Sequence, residues 1–241
     1  SQWIPKNAEN QNIGYCHADI DIIEYVNGNL FVGSDGGVYK ASGPNNITAN
    51  YYEDLSSGIG VRQFYKIGVY SGSSEIISGG SQDNGTSVLV DGVWKDWLGA
   101  DGMETFVDKD DSETLYGTSQ FGILYFSPDQ GDTRFDLETP TGKAGNDNGA
   151  NWIVPFEQDP LISEKIYVAY DVVYAQVSDL GWNPISQQFD SNIDHFKIAP
   201  SNSEIMYLAV NNLFYKTTDG GLTDWIAVPL PQNTGNINAI T

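Results

Sequence analysis

Apolar and polar residues alternate along this chain in short runs that are separated by turn-forming residues. One pattern occurs four times: a Ser-Glu pair is followed by β-branched, aliphatic or aromatic residues, starting at Ser74, Ser112, Ser163 and Ser203. Polar turn residues of this kind end one strand, and the β-branched and aromatic residues begin the next. No long stretch repeats apolar residues at helical spacing. The pattern therefore predicts an all-β fold built from short strands.

A second motif runs in phase with the first and closes on an aromatic residue. Residues 127–135 and 217–225 both read Ser/Thr-x-Asp-x-Gly-x-Thr-x-aromatic, and their Asp residues lie about 90 positions apart, or two repeats of about 45. In this motif, the Asp-box, the carboxylate accepts N–H groups of its own turn. The glycine supplies a positive φ, and the aromatic packs between neighbouring sheets. The residues given this structural role, including those of a shortened copy at 178–182, are Asp129, Gly131, Asp179, Asp219, Gly221 and Trp225.

Aromatic residues at the end of each repeat give its length. They are Trp3, Tyr52, Trp97, Phe135, Trp182 and Trp225, which mark five repeats averaging about 44 residues. This length is typical of a four-stranded antiparallel blade of a β-propeller. We therefore predict one β-propeller segment over residues 1–241, with about five whole blades plus partial blades at both ends. The blades are expected at about 17–55, 61–98, 102–138, 151–187 and 193–229.

The phase of the repeat at the two ends indicates a longer chain. Trp3 matches Trp225, so the sequence opens on the outer strand of a preceding blade, and residues 237–241 suit the inner strand of a following blade. Since propellers usually close with six to eight blades, we expect further blades or domains in the same longer chain. A six-bladed ring with one incomplete blade is the alternative.

Charge and cysteine content narrow the classes of partner. The 241 residues include 11 Lys and Arg and 32 Asp and Glu, for a formal net charge of −21. A nucleic-acid partner is excluded because phosphate binding needs clustered basic residues, and no apolar run is long enough for membrane insertion. Cys16 is the only cysteine, so neither an internal disulfide nor a cysteine-based metal site is expected. Neutral glycans, cations and basic or extracellular proteins remain as partners.

The loops on one face of the blades hold the candidate catalytic residues. In an up-and-down blade, the loops between the second and third strands and those leading into the next blade share a face, where propeller ligands usually collect. Glycoside hydrolysis needs two carboxylates about 5–9.5 Å apart, and the candidates are Asp35, Asp83, Asp101 and Glu104. Asp35 and Asp83 sit in glycine-flanked turns, so capping of their own backbone is the alternative role.

Amide, aromatic and charged residues on the same face are candidate ligand contacts, because aromatic rings stack on sugars and polar groups bond hydroxyls. They are Arg62, Gln82, Asn84, Gln120, Phe121, Trp152, Asp171 and His195. For His195 a structural role is the alternative. No cofactor is predicted. Calcium is the one alternative, at the acidic turn of residues 108–113 on the opposite face, where a solvated turn is the default.

Several segments resemble known propeller families. The Asp-boxes at Asp129 and Asp219 resemble those of bacterial neuraminidase repeats and sortilin-like propellers. Residues 30–39 resemble the first-blade motif of xyloglucanase-type hydrolases, which implies a catalytic role for Asp35, although the second catalytic carboxylate of that family belongs to another propeller. Residues 81–86 and 99–105 resemble segments of secreted and cell-surface proteins of gliding bacteria. A sialidase clamps its substrate with three arginines, and this chain has only Arg62 and Arg134.

Three hypotheses about function follow. The first is a secreted or surface-exposed module, not an enzyme, that binds glycan or extracellular protein. The second is a glycoside hydrolase, or one lobe of one, that is not a sialidase and uses the paired carboxylates of the loop face. The third is a sortilin-like peptide receptor that uses aromatic residues such as Phe64, Phe121 and Trp152.

Overall fold

The computed structural model describes residues 16–42, 51–56, 58–59, 62–72, 75–177, 181–232 and 235–240. It divides into two compact units, Ser1–Arg62 and Gln63–Thr241, each of which is described by itself. The outer strand expected around Trp3 and the Asp-box residue Asp179 lie outside the described residues. In the described part, five four-stranded antiparallel sheets are formed and no helix is long and apolar enough to cross a membrane.

The first unit contains one sheet, in which each strand pairs with the next along the chain. A two-residue turn, Asn27-Gly28, joins its first two strands, and both residues have positive φ, as a type I′ hairpin requires. All seven residues of the first strand are exposed, whereas Val32 and Tyr39 of the middle strands are buried. The strands are β1 (Ile20–Val26), β2 (Asn29–Ser34), β3 (Gly37–Ser42) and β4 (Tyr52–Asp54).

The second unit contains four sheets with the same strand order. The second sheet is β5 (Phe64–Val69), β6 (Ile77–Ser81), β7 (Gly85–Val90) and β8 (Val93–Leu98), and the third is β9 (Gly102–Val107), β10 (Leu115–Ser119), β11 (Ile123–Ser127) and β12 (Phe135–Asp136). The fourth is β13 (Phe156–Gln158), β14 (Lys165–Ala169), β15 (Val173–Val177) and β16 (Trp182–Pro184). The fifth is β17 (His195–Ile198), β18 (Met206–Val210), β19 (Leu213–Thr217) and β20 (Ile226–Val228).

Apolar clusters between successive sheets of the second unit form its core. Val88 and Trp97 of the second sheet pack with Leu115 of the third. Leu124 of the third sheet packs with Phe156 of the fourth, in a cluster that also contains the fully buried Tyr170. A further cluster joins the fourth and fifth sheets, and its members include Tyr167, Val173, Phe189, Phe196, Leu208 and Trp225. Each sheet is therefore held to the next by burial of apolar surface on its face.

The two complete segments predicted as Asp-boxes form similar turns. The Asp129 carboxylate accepts hydrogen bonds from the Thr133 N–H and hydroxyl, both at 2.7 Å, and from the Ser127 hydroxyl at 2.8 Å. The Asp219 carboxylate accepts the Thr223 hydroxyl at 2.6 Å and the Thr217 hydroxyl at 2.7 Å. Each carboxylate therefore satisfies donors of its own turn, the structural role that the motif predicts.

The C-terminal segment differs from the sequence expectation. Residues 235–240 form no strand, although an inner strand was expected from residue 237 onward. The Ile237 N–H donates to the Asn211 carbonyl oxygen at 3.0 Å. A strand needs a ladder of such bonds to a neighbour, and this segment does not form one.

Candidate functional site

Hydrogen bonds tie three successive loops of the second unit together. The Asp83 N–H donates to the Asp101 carboxylate at 2.8 Å, and the Asp101 N–H donates to Gln120 Oε1 at 3.3 Å. Asp83 has a φ of 59°, which an unstrained residue other than glycine rarely adopts outside a turn. The Asp101 carboxylate therefore holds the β6–β7 turn in place.

A partly exposed aromatic surface lies beside these loops. The Trp152 indole N–H donates to the Tyr65 hydroxyl oxygen at 3.4 Å, and the Tyr65 hydroxyl donates to Gln82 Oε1. The Trp152 ring meets the Phe121 ring edge to face, with centroids 5.2 Å apart, and Trp152 is 39% exposed. We call Tyr65, Gln82, Phe121 and Trp152 the aromatic ledge.

Backbone hydrogen bonds hold the aromatic ledge in position. Phe121 lies in the short 3₁₀ turn Gln120–Gly122 and has a φ of 59°. Its N–H donates to the Trp152 carbonyl oxygen at 3.1 Å, and its carbonyl oxygen accepts the Gly145 N–H at 2.9 Å. The buried Tyr170 hydroxyl donates to the Gly122 carbonyl oxygen at 2.6 Å. The loop that carries Phe121 is therefore bonded on both sides, so the ring is presented in a set orientation.

A cluster of charged side chains lies on the first strands of the four sheets of the second unit. Lys66 of β5 pairs with Glu104 of β9 at 3.0 Å, and Lys197 of β17 pairs with Glu157 of β13. We call these four residues the inner-strand cluster. The two carboxylates are largely buried, with 16% and 20% of their side-chain surface exposed, and the two lysines are 39% and 46% exposed.

Burial changes the acidity of the inner-strand cluster. It raises the pKa of Glu157 to about 7, against the opposing effect of Lys197, and the charge of Glu104 raises this pKa further. Burial also raises the pKa of Glu104, although Lys66 opposes it. His195, at the start of β17, has a lowered pKa, first because of burial and then because of the nearby Lys66. Loss of water disfavours the charged form of each group.

Two cavities adjoin the inner-strand cluster. One of about 70 Å³ is lined by all four cluster residues together with Asp194 and His195. The other, of about 240 Å³, is lined by three of them, Glu104, Glu157 and Lys197, together with apolar and uncharged polar residues of the first strands. The cluster therefore has space beside it for a small group or for water.

The remaining predicted contacts are spread over the chain. Asp171 pairs with Lys143 and accepts a hydrogen bond from Gln188 at 3.0 Å. The Asn84 side chain donates to the Gln82 carbonyl oxygen at 3.1 Å. Asp35, in the exposed β2–β3 turn, and the exposed Arg62 belong to the first unit. At the acidic turn considered for calcium, Asp108 accepts the Asp110 N–H at 2.8 Å and the Gln158 side-chain amide at 2.7 Å.

The structure thus brings together some predicted residues and adds others. Gln82, Phe121 and Trp152 meet in the aromatic ledge, and Glu104 and His195 line one cavity. Sequence analysis did not select Lys66, Glu157 or Lys197 as site residues. The signal available for them is a charged residue inside an otherwise apolar or small-residue strand, as in Phe-Lys-Ile of β17.

Comparisons with known proteins support the fold assignment. No protein-family model matches the sequence, and no curated protein matches it. A crystal structure of the GH74 xyloglucanase from Xanthomonas campestris matches with a TM-score of 0.51 and 14% identity, over 92% of this chain and 39% of that one. The likeness is to a β-propeller lobe. The GH74 enzyme from Niastella koreensis matches with a TM-score of 0.36 and 15% identity, over 90% of this chain and 44% of that one. This chain therefore spans less than half the length of either enzyme.

Proposed function

We propose that this chain is a carbohydrate-binding lobe of a larger secreted or cell-surface protein, and that a sugar ring stacks on the aromatic ledge. The observation that carries the proposal is the Trp152 ring, which is 39% exposed, forms a T-shaped pair with the Phe121 ring and donates its indole N–H to the Tyr65 hydroxyl oxygen. Aromatic side chains offer a large apolar face together with a polar handle. This combination suits a sugar, which has apolar C–H faces and hydroxyl edges.

The hydrogen bonds that fix the side chains of the aromatic ledge favour ligand binding. The Phe121 loop is bonded to the Trp152 backbone, and the Tyr65 hydroxyl links the Trp152 ring to Gln82. A ligand that binds a surface ordered in this way does not have to order the side chains first, so less free energy is lost on binding. The Gln82 side chain is exposed at the edge of the ledge, where its amide can bond a hydroxyl.

Charge indicates the kind of glycan. The chain carries a net charge of −21, which repels uronic acids, sulfated glycans and sialic acids. A neutral polysaccharide is therefore the proposed ligand. Because the matched Xanthomonas campestris enzyme is a xyloglucanase, xyloglucan oligosaccharides are the first probe.

The geometry of the loop carboxylates favours binding over hydrolysis. Asp101 is engaged by the Asp83 N–H, and Glu104 is paired with Lys66. A general acid must donate its proton to the glycosidic oxygen of a bound sugar, and these two carboxylates make structural contacts instead. A reducing-sugar assay with xyloglucan checks this part of the proposal, since release of sugar ends would favour the hydrolase alternative.

The test of binding is a titration with neutral oligosaccharides, followed by tryptophan fluorescence and calorimetry. We expect Trp152→Ala to weaken binding at least tenfold, since it removes the stacking face. Phe135→Ala is the matched control, because Phe135 is an exposed aromatic of the third sheet outside the ledge, and it should bind as the wild type does. Equal affinity of wild type and Trp152→Ala, or no binding of any neutral glycan, would contradict the proposal.

A further inference from the structure

The hydrogen bonds of the aromatic ledge run in one direction and end at Gln82. The indole N–H of Trp152 can only donate, and it donates to the Tyr65 hydroxyl oxygen at 3.4 Å. The single hydrogen of the Tyr65 hydroxyl is donated to Gln82 Oε1. The Phe121 side chain has no polar hydrogen. The side-chain hydrogens of Trp152 and Tyr65 are therefore both used within the ledge.

The side-chain amide of Gln82 is the remaining donor of the ledge. Its oxygen accepts the Tyr65 hydroxyl, whereas its Nε2 carries two hydrogens that have no partner among the described residues. Gln82 is exposed, so these hydrogens are accessible to a ligand that lies on the ledge. A ligand group that bonds Gln82 Nε2 has to be a hydrogen-bond acceptor, because this nitrogen can only donate.

Further contacts fix the position of this donor. The Gln82 carbonyl oxygen accepts the Asn84 side-chain amide at 3.1 Å, and the N–H of the next residue, Asp83, donates to the Asp101 carboxylate at 2.8 Å. A residue that is already held at its backbone and its side chain loses less freedom when it bonds a ligand. Chains of hydrogen bonds also polarise their members, so the bond from Tyr65 to Gln82 Oε1 makes Nε2 a stronger donor.

We infer that Gln82 is the specificity-determining residue of the ledge, and that its Nε2 donates a hydrogen bond to an oxygen at the edge of the sugar ring stacked on Trp152. Tyr65 is the positioning residue that orients this amide. The inference rests on the proposed glycan binding at the ledge. It narrows the ligand to a sugar that presents an accepting hydroxyl, ether or ring oxygen at that edge, whereas a deoxygenated position there leaves Gln82 without its bond.

Gln82→Glu separates the donor from the rest of the side chain. Glutamate keeps the size of the side chain and an oxygen that accepts the Tyr65 hydroxyl, but its ionised form has no hydrogen to donate. Calorimetric titration with a xyloglucan oligosaccharide at pH 7 should show affinity about tenfold weaker than that of the wild type. Below the ordinary glutamate pKa of about 4.3, the protonated carboxyl regains one O–H donor. The variant should therefore recover roughly fivefold in affinity between pH 7 and pH 4, and the wild type should not.

Gln232→Glu is the matched control, because Gln232 is an exposed glutamine after β20 and outside the aromatic ledge. It adds the same charge and should bind as the wild type does at both pH values. Tyr65→Phe removes the hydroxyl that orients the amide, so it should weaken binding by roughly threefold, without recovery at pH 4. Circular dichroism verifies that each variant is folded.

The outcomes separate this inference from the proposed function. If the wild type binds and Trp152→Ala does not, the ledge is a glycan site. Gln82→Glu that then binds as tightly as the wild type at pH 7, or that binds weakly at pH 7 and pH 4 alike, would overturn the role of Gln82 alone. Absence of binding by the wild type would overturn both.

Discussion

In the third and fifth sheets, the turn between the third and fourth strands has the same motif, yet the aromatic residues that close these turns have different environments. Trp225 is 3% exposed, lies in the cluster between the fourth and fifth sheets, and donates its indole N–H to the Ile185 carbonyl oxygen at 2.8 Å. Phe135 is 50% exposed and stacks on Phe126 of its own sheet, with centroids 5.3 Å apart. The sequence prediction that the aromatic packs between sheets therefore holds for Trp225 and is wrong for Phe135.

One backbone hydrogen bond is nevertheless common to the two turns. The Gln130 N–H donates to the Glu113 carbonyl oxygen at 2.7 Å, and the Gly220 N–H donates to the Glu204 carbonyl oxygen at 3.0 Å. Each acceptor belongs to the Ser-Glu segment of the same sheet, so the two sequence motifs meet in space. The comparison teaches that local hydrogen bonding follows the motif, whereas burial of the aromatic depends on what the neighbouring sheet offers.

The largest difference between the two turns is expected on truncation of the closing aromatic. Trp225→Ala should lower the free energy of unfolding by about 3–5 kcal/mol, because it leaves a cavity in a packed cluster. Phe135→Ala should cost less than about 1.5 kcal/mol, since much of that ring is already in water. Urea unfolding followed by circular dichroism measures both values. Equal losses would mean that the two aromatics are buried alike.

The next largest effects are expected from alanine substitutions at the two glycines of the turn in the fifth sheet. Gly221 has a φ of 81°, and a Cβ there would lie 2.0 Å from the Ile185 carbonyl oxygen. Gly221→Ala should therefore cost roughly 2–5 kcal/mol, from left-handed strain together with overpacking. Gly220 has a φ of 70° but nothing within 4 Å of a Cβ, so Gly220→Ala should cost about 1–2 kcal/mol. In the turn of the third sheet, Gln130 occupies the position that matches Gly220 and has a φ of 56°. Thermal unfolding of the two variants measures the difference, and a larger loss for Gly220→Ala would refute this account.

The dependence of stability on pH should separate the turn carboxylates from the inner-strand carboxylates. The hydrogen bonds of Thr223 and Thr217 lower the pKa of Asp219 to about 2. Its folded pKa lies below its unfolded value, so its stabilisation is complete above about pH 4 and is lost as the pH falls towards 2. The Thr133 bonds likewise lower the pKa of Asp129. Both turns should therefore lose stability as the pH falls below the ordinary pKa of an aspartate.

Glu157 should act in the opposite direction. Its pKa is raised from 4.5 to about 7, so the folded state binds the proton more tightly, and stability falls as the pH rises from about 4.5 to 7, by at most about 3 kcal/mol. Urea unfolding between pH 2 and 8 should show a maximum near pH 4–5. In a plot of the free energy of unfolding against pH, Asp219→Asn should flatten the limb below the maximum and Glu157→Gln should flatten the limb above it. An unchanged slope in either variant would contradict the assignment of that limb.

Much of the fold could be predicted from the sequence because the repeat is local. Among the aromatic residues that mark the end of each repeat, four lie on the fourth strand of their sheets: Tyr52, Trp97, Phe135 and Trp182. Trp225 lies directly before the fourth strand of the fifth sheet. Alternating apolar residues and turn-forming residues are short-range patterns, so each short segment of the sequence shows them without information about the rest of the chain. Residues 235–240 form no strand, because a strand exists only through a hydrogen-bonded partner strand.

The candidate sites were less accessible to sequence reasoning. Phe121, Trp152 and Gln82 were selected individually as loop residues, but Tyr65, whose hydroxyl links the last two, was not selected as a site residue. Glu157 and Lys197 are distant in sequence, and their pairing depends on adjacent first strands of two sheets. Loop position alone therefore identified parts of the aromatic ledge and missed most of the inner-strand cluster.

The sequence by itself determined the repeat, the four-stranded sheets and the turn hydrogen bonds of Asp129 and Asp219, because these depend on backbone preferences and on contacts within a few residues. Only the tertiary structure decided that Trp225 is buried while Phe135 is exposed, that Trp152 donates to Tyr65, and that the charge of Glu104 raises the pKa of Glu157. The physical reason is that burial, ring contacts and pKa values depend on which sheet faces which, and that arrangement results from packing residues that are far apart along the chain.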